Sequence, residues 1–125
     1  MRPMHVDIET EAIQNENFRK VIFTGKHFQV VLMSLKPGEE IGNEVHEAVD
    51  QFFRIEKGEA IFRFDNKNNY LALAGYAIVV PAGTWHNVIN RSDKKELKLY
   101  TIYAPPQHPA GTIQKIKPKE KTCQA

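Results

Sequence analysis

The stretch Gly75-Tyr-Ala-Ile-Val-Val-Pro81-Ala-Gly83-Thr-Trp-His86-Asn-Val-Ile-Asn90 decides how this chain folds. A glycine opens it, a short β-branched run follows, a Pro-Ala-Gly turn breaks that run, and a second run begins near a histidine. Both runs, Ala77–Val80 and Trp85–Ile89, are too short for helices and rich in the residues that strands prefer. The same punctuation extends in both directions, with a turn signal about every eight to twelve residues. Between the turns lie Phe28–Leu35, Gln51–Glu56, Ala60–Phe64 and Leu97–Tyr103, each dominated by Val, Ile, Leu, Phe or Tyr. This rhythm predicts an all-β sandwich or barrel of roughly six to eight or more antiparallel strands and excludes βαβ units. One short helix is expected, within Thr10–Asn15.

Side chains on a strand point to alternate faces, so the interior can be read off by twos. Gln51, Phe53 and Ile55 share one face, against Arg54 and Glu56 on the other. Ala60, Phe62 and Phe64 oppose Ile61 and Arg63. Leu97, Leu99, Thr101 and Tyr103 oppose Lys98, Tyr100 and Ile102. The first set in each case is the expected interior. Gln51 therefore lands among apolar neighbours, where an amide needs a partner.

With 125 residues, 42% hydrophobic and 26% charged, the chain is long enough for one domain with a true core and too short for two. The expected division is an N-terminal strand or arm over 1–17, a barrel over 18–113 and a flexible Lys-rich tail over 114–125. The single cysteine, Cys123, permits no internal disulfide and no thiolate metal cluster. No apolar run is long enough to span a bilayer, and no signal-peptide pattern opens the sequence, so a soluble cytoplasmic protein is expected. The net charge of +2 is a tail effect. Lys115, Lys117, Lys119 and Lys121 against Glu120 place +3 on the last eleven residues, leaving 13 basic and 14 acidic side chains on the rest. A body with net charge −1 is a poor match for nucleic acid. The acids Glu39, Glu40, Glu44, Glu47 and Asp50 stand together without a Lys or Arg among them. Glu39, Glu40 and Glu47 read as a solvated loop.

Glu44 reads differently. Glu44 and His46 stand at i and i+2, so in a strand they project from one face. Gln51 opens the next strand facing inward, and His86 opens another after the Pro81-Ala-Gly83 turn. One carboxylate, two imidazoles and one amide oxygen form a first-row divalent set, and the lack of sulfur disfavours a structural zinc site.

These residues resemble the cupin superfamily. Its second motif, Gly-x5-Pro-x-Gly-x2-His-x3-Asn, is matched at Gly75, Pro81, Gly83, His86 and Asn90. Its first, Gly-x5-His-x-His-x3–4-Glu-x6-Gly, is matched in spacing from Gly38 to Gly58, with Glu44 in place of the first His and Gln51 in place of the Glu. The resemblance implies a double-stranded β-helix, a jelly-roll-like cupin barrel. It also implies one bound divalent ion, Zn, Mn, Fe or Ni, held by Glu44, His46, Gln51 and His86. Phosphomannose isomerases, also cupins, hold their metal with a similar inventory, and small cupins often carry a mannose-6-phosphate-isomerase-like label. This chain shows no phosphate-binding cluster: Arg19, Arg54 and Arg63 read as scattered. His108, in a Pro-rich segment, is placed to fold over the barrel mouth as an acid–base group or a neighbour of the ligands.

Three functions follow as expectations. The first is a metal enzyme on a small molecule, with sugar-phosphate-isomerase-like or metal-dependent-oxygenase-like chemistry. The second is a barrel that binds a small ligand without turnover, and the third a metal-free module. A homodimer is expected from the strip Val6, Ile8 and Ile13, read as part of an N-terminal strand that pairs with a second copy.

Overall fold

The computed structural model describes residues 1–119. Nine strands follow one helix, α1 (Ile8–Gln14): β1 (Arg19–Thr24), β2 (Gln29–Leu35), β3 (Asp50–Lys57), β4 (Glu59–Phe64), β5 (Asn68–Leu73), β6 (Ala77–Val80), β7 (His86–Asn90), β8 (Leu97–Ala104) and β9 (Ile113–Gln114). They form an antiparallel six-stranded sheet, β6-β3-β8-β2-β1-β9, and a three-stranded sheet, β5-β4-β7. This is the double-stranded β-helix that the turn rhythm and the strand alternation imply.

The core lies between the sheets and follows the expected alternation. Phe53, Ile55, Ala60, Phe62, Leu97 and Leu99 are all buried, joined by Val31, Met33 and Leu35 from β2 and Val88 from β7. The rings of Phe53 and Phe62 meet edge to face with centroids 5.1 Å apart, the arrangement that aromatic quadrupoles favour. Gly58 joins β3 to β4 with φ +96°, and a Cβ there would stand 2.7 Å from the Glu96 carbonyl oxygen. Only glycine fits so tight a corner.

Two expectations are corrected around α1. The span 1–17, expected as a strand or arm, carries the short helix expected within Thr10–Asn15, here starting at Ile8: Asp7 caps it, its carboxylate accepting from the Thr10 amide at 3.2 Å and the Thr10 hydroxyl at 2.8 Å. Ile8 and Ile13 lie on this helix, half-buried, so they offer no strand for pairing with a second copy. The second correction is Lys98. It points to the outer face of β8 as expected, yet it is buried because α1 packs over that face. Its ammonium donates to the Asn15 carbonyl at 2.6 Å and the Ser34 hydroxyl at 3.0 Å, and pairs with Glu96 at 3.2 Å.

The described part of the tail makes contacts with the barrel. Gln114 pairs with Arg19 through the β9–β1 ladder, the Lys115 carbonyl accepts from the Phe18 amide at 3.3 Å, and the Lys117 ammonium donates to the Glu40 carbonyl at 2.7 Å. Residues 115–119 therefore cross one end of the barrel. Lys121 and Cys123 lie outside the described residues.

Candidate metal centre

The site is built where residues 39–44 run beside β7. The segment has no regular ladder, but Glu40 bridges Ile89 and Glu44 bridges His86. Four steps on one side, 40 to 44, face three on the other, 89 to 86, so one extra residue is accommodated as in a bulge. Gly42, with φ +111°, lies within it. The Asn87 side chain ties this bulge down, accepting from the Gly42 amide at 2.9 Å and donating to the Glu40 carboxylate at 2.8 Å. Glu40 is thus a partner for Asn87 and not only a solvated acid. The shift sets Glu44 directly opposite His86, with reciprocal backbone bonds of 2.8 and 2.9 Å.

The motif residues around this cluster hold turns. Asn90 is buried and donates through its amide to the carbonyls of Leu35, Lys36 and Lys95 at 3.2, 3.0 and 2.8 Å. Asp50 accepts from the Ala82 amide at 2.9 Å, and the His46 carbonyl accepts from the Gly83 amide at 2.9 Å. The Pro-Ala-Gly turn is thereby pinned beside His46.

Glu44, His46 and His86 converge, each offering one ligand atom within 4.8 Å of the others. Glu44 Oε1 lies 3.5 Å from His46 Nε2 and 4.0 Å from His86 Nε2. His86 contacts the Thr84 carbonyl through Nδ1 at 2.9 Å. A carbonyl only accepts, so Nδ1 carries the proton and Nε2 keeps its lone pair for a ligand. Burial holds the His86 imidazole below its usual pKa, reinforced by His46 and opposed by the Thr84 bond and Glu44, so it is neutral at pH 7. Burial acts against ionisation of Glu44, but the His46 imidazole 3.5 Å away, then the charges of His86 and Arg19, outweigh it and keep this carboxyl low. An anionic oxygen beside the neutral His86 imidazole is the protonation state that metal binding requires.

Gln51 is buried on the inner face of β3, donates through Nε2 to the Thr101 hydroxyl at 2.9 Å, and leaves Oε1 without a hydrogen-bond partner. Both nitrogens of His46 and Nε2 of His86 are likewise buried without a hydrogen-bond partner. Opposite Gln51 on β8 stands Tyr103, whose ring meets His46 edge-on with centroids 5.7 Å apart. Burial and the nearby Glu44 carboxylate hold the Tyr103 phenol well above its usual value, so it stays protonated. His108 reaches the same place from the C-terminal segment, with Nε2 3.3 Å from the Tyr103 hydroxyl. Gln29 fixes it there: Oε1 accepts from the His108 amide at 3.0 Å, and Nε2 donates to the His108 carbonyl at 2.7 Å. Burial, then the Arg19 charge, push the His108 imidazole down to about 4.

Arg19 is the functional-looking residue that the sequence reading passed over. It lies on the inward face of β1 with Val21, is 7% exposed, and hydrogen-bonds Gln114 Oε1 through Nη1. The alternation Arg19, Val21, Phe23 was available as a signal. Treated as one of three scattered arginines, it carried no weight.

The cupin-domain family matches residues 31–103, and the chain belongs to that family. It is 51% identical over 121 residues to YrkC of Bacillus subtilis (strain 168), covering 93% of this chain and 64% of that protein, so it spans less than two thirds of YrkC's length. It is 48% identical over 116 residues to a protein of Acanthamoeba polyphaga mimivirus, covering 91% of this chain and 72% of that one. Among solved structures, BH2720 from Bacillus halodurans superposes with a TM-score of 0.90 at 46% identity, over 93% of this chain and 91% of that chain.

Proposed function

We propose that this chain is a divalent-metal cupin acting on a small molecule, with Glu44, His46, Gln51 and His86 holding the ion. One observation carries the reading: Gln51 Oε1, His46 Nε2 and His86 Nε2 are buried donor atoms that find no hydrogen-bond partner, and they accompany a carboxylate kept ionised. Leaving a buried polar atom unsatisfied costs about 1–3 kcal/mol, so three together need an occupant. The donor set, nitrogen and oxygen without sulfur, suits Zn, Mn, Fe or Ni. When bound, such an ion supplies Lewis acidity toward a substrate oxygen or, as iron, dioxygen activation.

The chain's own groups do the rest. The Thr84 carbonyl fixes the His86 tautomer, the Tyr103 hydroxyl donates a hydrogen bond, and His108, neutral at pH 7, can accept a proton at Nε2. This favours His108 over Glu44 as the base, because a ligating carboxylate has its lone pairs committed. Isomerase-like and oxygenase-like chemistry both remain within this reading. A barrel that binds its ligand without turnover shares the metal and differs only in lacking a product. The test is elemental analysis of tag-free protein beside His46→Ala and His86→Ala. About one equivalent of a first-row metal, lost in both folded variants, is the expected result. A metal-free wild type that takes up none of Zn²⁺, Mn²⁺, Fe²⁺ or Ni²⁺ on titration overturns it.

A further inference from the structure

We infer that Arg19 is the anion-binding residue of this site, and that the ligand is a small organic acid whose carboxylate pairs with its guanidinium. The inference rests on the metal reading above and names the substrate class for it. Arg19 is more than nine-tenths buried, its Nε has no hydrogen-bond partner, and it makes no ion pair among the described residues. Its side-chain hydrogen bonds go to neutral groups, Gln114 Oε1 and the Tyr103 hydroxyl. A buried cation is costly unless an anion meets it, and among the described residues no carboxylate stands within ion-pair distance of this one.

The surroundings say what would meet it. Arg19 and Glu44 line one cavity of about 90 Å³ beside the ligand cluster, with Gly42, Asn43, Lys117 and Lys119. Three cations therefore face one carboxylate, and a divalent ion on Glu44 would make the cavity more positive still. Lys117 is held there by the Glu40 carbonyl, so the cationic rim is built and not incidental. The planar guanidinium matches a carboxylate with two parallel N–H donors. The cavity's size suits an acid of a few heavy atoms, and an oxygen next to the carboxylate would face Glu44, which adjoins His46 and His86. An α-hydroxy or α-keto acid has that arrangement.

The experiment uses the full chain, glycolate as the acid and glycolamide as its uncharged counterpart, with binding followed by calorimetry. Mn²⁺-loaded wild type should bind glycolate clearly better than glycolamide. Arg19→Met should weaken glycolate about tenfold or more, as expected for a charged hydrogen bond, while glycolamide and Mn²⁺ affinities stay within about threefold. Equal binding of acid and amide, no glycolate binding, or glycolate binding indifferent to the substitution overturns the inference and leaves the metal reading standing. If wild type takes up no Mn²⁺, the metal reading falls, and the metal-free protein decides this one: glycolate binding that needs Arg19 supports it, and its absence overturns it. Should Arg19→Met fail to fold, Arg19→Lys replaces it. That variant should lose glycolate affinity severalfold through the missing second donor, and an unchanged affinity counts against the pairing.

Discussion

Gln51→Glu separates a ligand set from a packing set. In the metal-free protein the new carboxylate would sit buried on β3, in a site that already holds the ionised Glu44. The Thr101 hydroxyl, which now accepts from Gln51 at 2.9 Å, can turn to donate one hydrogen bond, but the charge has no cation of its own. Removing one partner of a buried ion pair costs about 3–5 kcal/mol, and an unpaired buried carboxylate should cost a similar amount. Protonation sets a ceiling: from a reference near 4.3, holding the group neutral at pH 7 costs about 3.7 kcal/mol, at about 1.36 kcal/mol per pH unit. For a domain of this size each kcal/mol moves Tm by about 3–5 °C, so the metal-free variant should melt about 10–18 °C below wild type. Metal reverses the sign, since the second carboxylate becomes an anionic ligand. Wild type at a hundredfold excess over Kd gains about 2.7 kcal/mol. The variant should gain more than this at the same metal concentration and close most of the gap. Differential scanning calorimetry, with and without Mn²⁺, Fe²⁺, Ni²⁺ or Zn²⁺, reads both quantities. A metal-free variant as stable as wild type, or one that no metal rescues, refutes the ligand assignment of Gln51.

Three further outcomes are expected. Asn90→Ala removes an amide that serves three carbonyls and should cost about 3 kcal/mol in urea denaturation with an unchanged m-value. Gly58→Ala forces a Cβ to 2.7 Å from a carbonyl oxygen at positive φ and should cost about 2 kcal/mol or more, whereas the same change at Gly38, where a Cβ meets nothing within 4 Å, should cost less. Metal-free stability should fall as pH drops below about 6.5, because the unfolded histidines take up protons that His86 and His108 resist in the fold. The His108 share of that loss continues to about pH 4, and His108→Gln should flatten the acid limb of a stability-versus-pH curve measured by chemical denaturation.

The strands that the sequence announced are those with one face buried. Alternation marks Asp50–Lys57, Glu59–Phe64 and Leu97–Ala104 plainly, and the observed bounds differ by a residue or so from the expected ones. Asn68–Leu73 is an edge strand with five of its six residues exposed, so it has no alternation to read, and Asn68 and Asn69 pass for a turn. Arg19–Thr24 had the alternation, but it opens on a charge, and a charge is read as solvent-facing until the fold shows otherwise. The cluster of Glu44, His46 and His86 was legible because motif spacing survives in local geometry. What brings Glu44 opposite His86 is a one-residue slip, and sequence periodicity cannot place a slip. The Lys-rich tail reaches Arg19 and the site through β9, a two-residue strand whose pairing depends on a partner ninety-five positions away. Separation of that kind leaves no local trace.

The ammonium beneath α1 ties three distant segments of the chain together. Lys98 is bonded to a carbonyl at Asn15 and a hydroxyl at Ser34, and it exists in that environment only because the helix roofs the sheet. A lineage that shortens Lys98 strands two acceptors without their donor. One that loses the helix returns a charge to water and exposes the sheet beneath. A change at position 98 is therefore felt at residues 64 and 83 positions earlier in the chain, where both acceptors would need another donor.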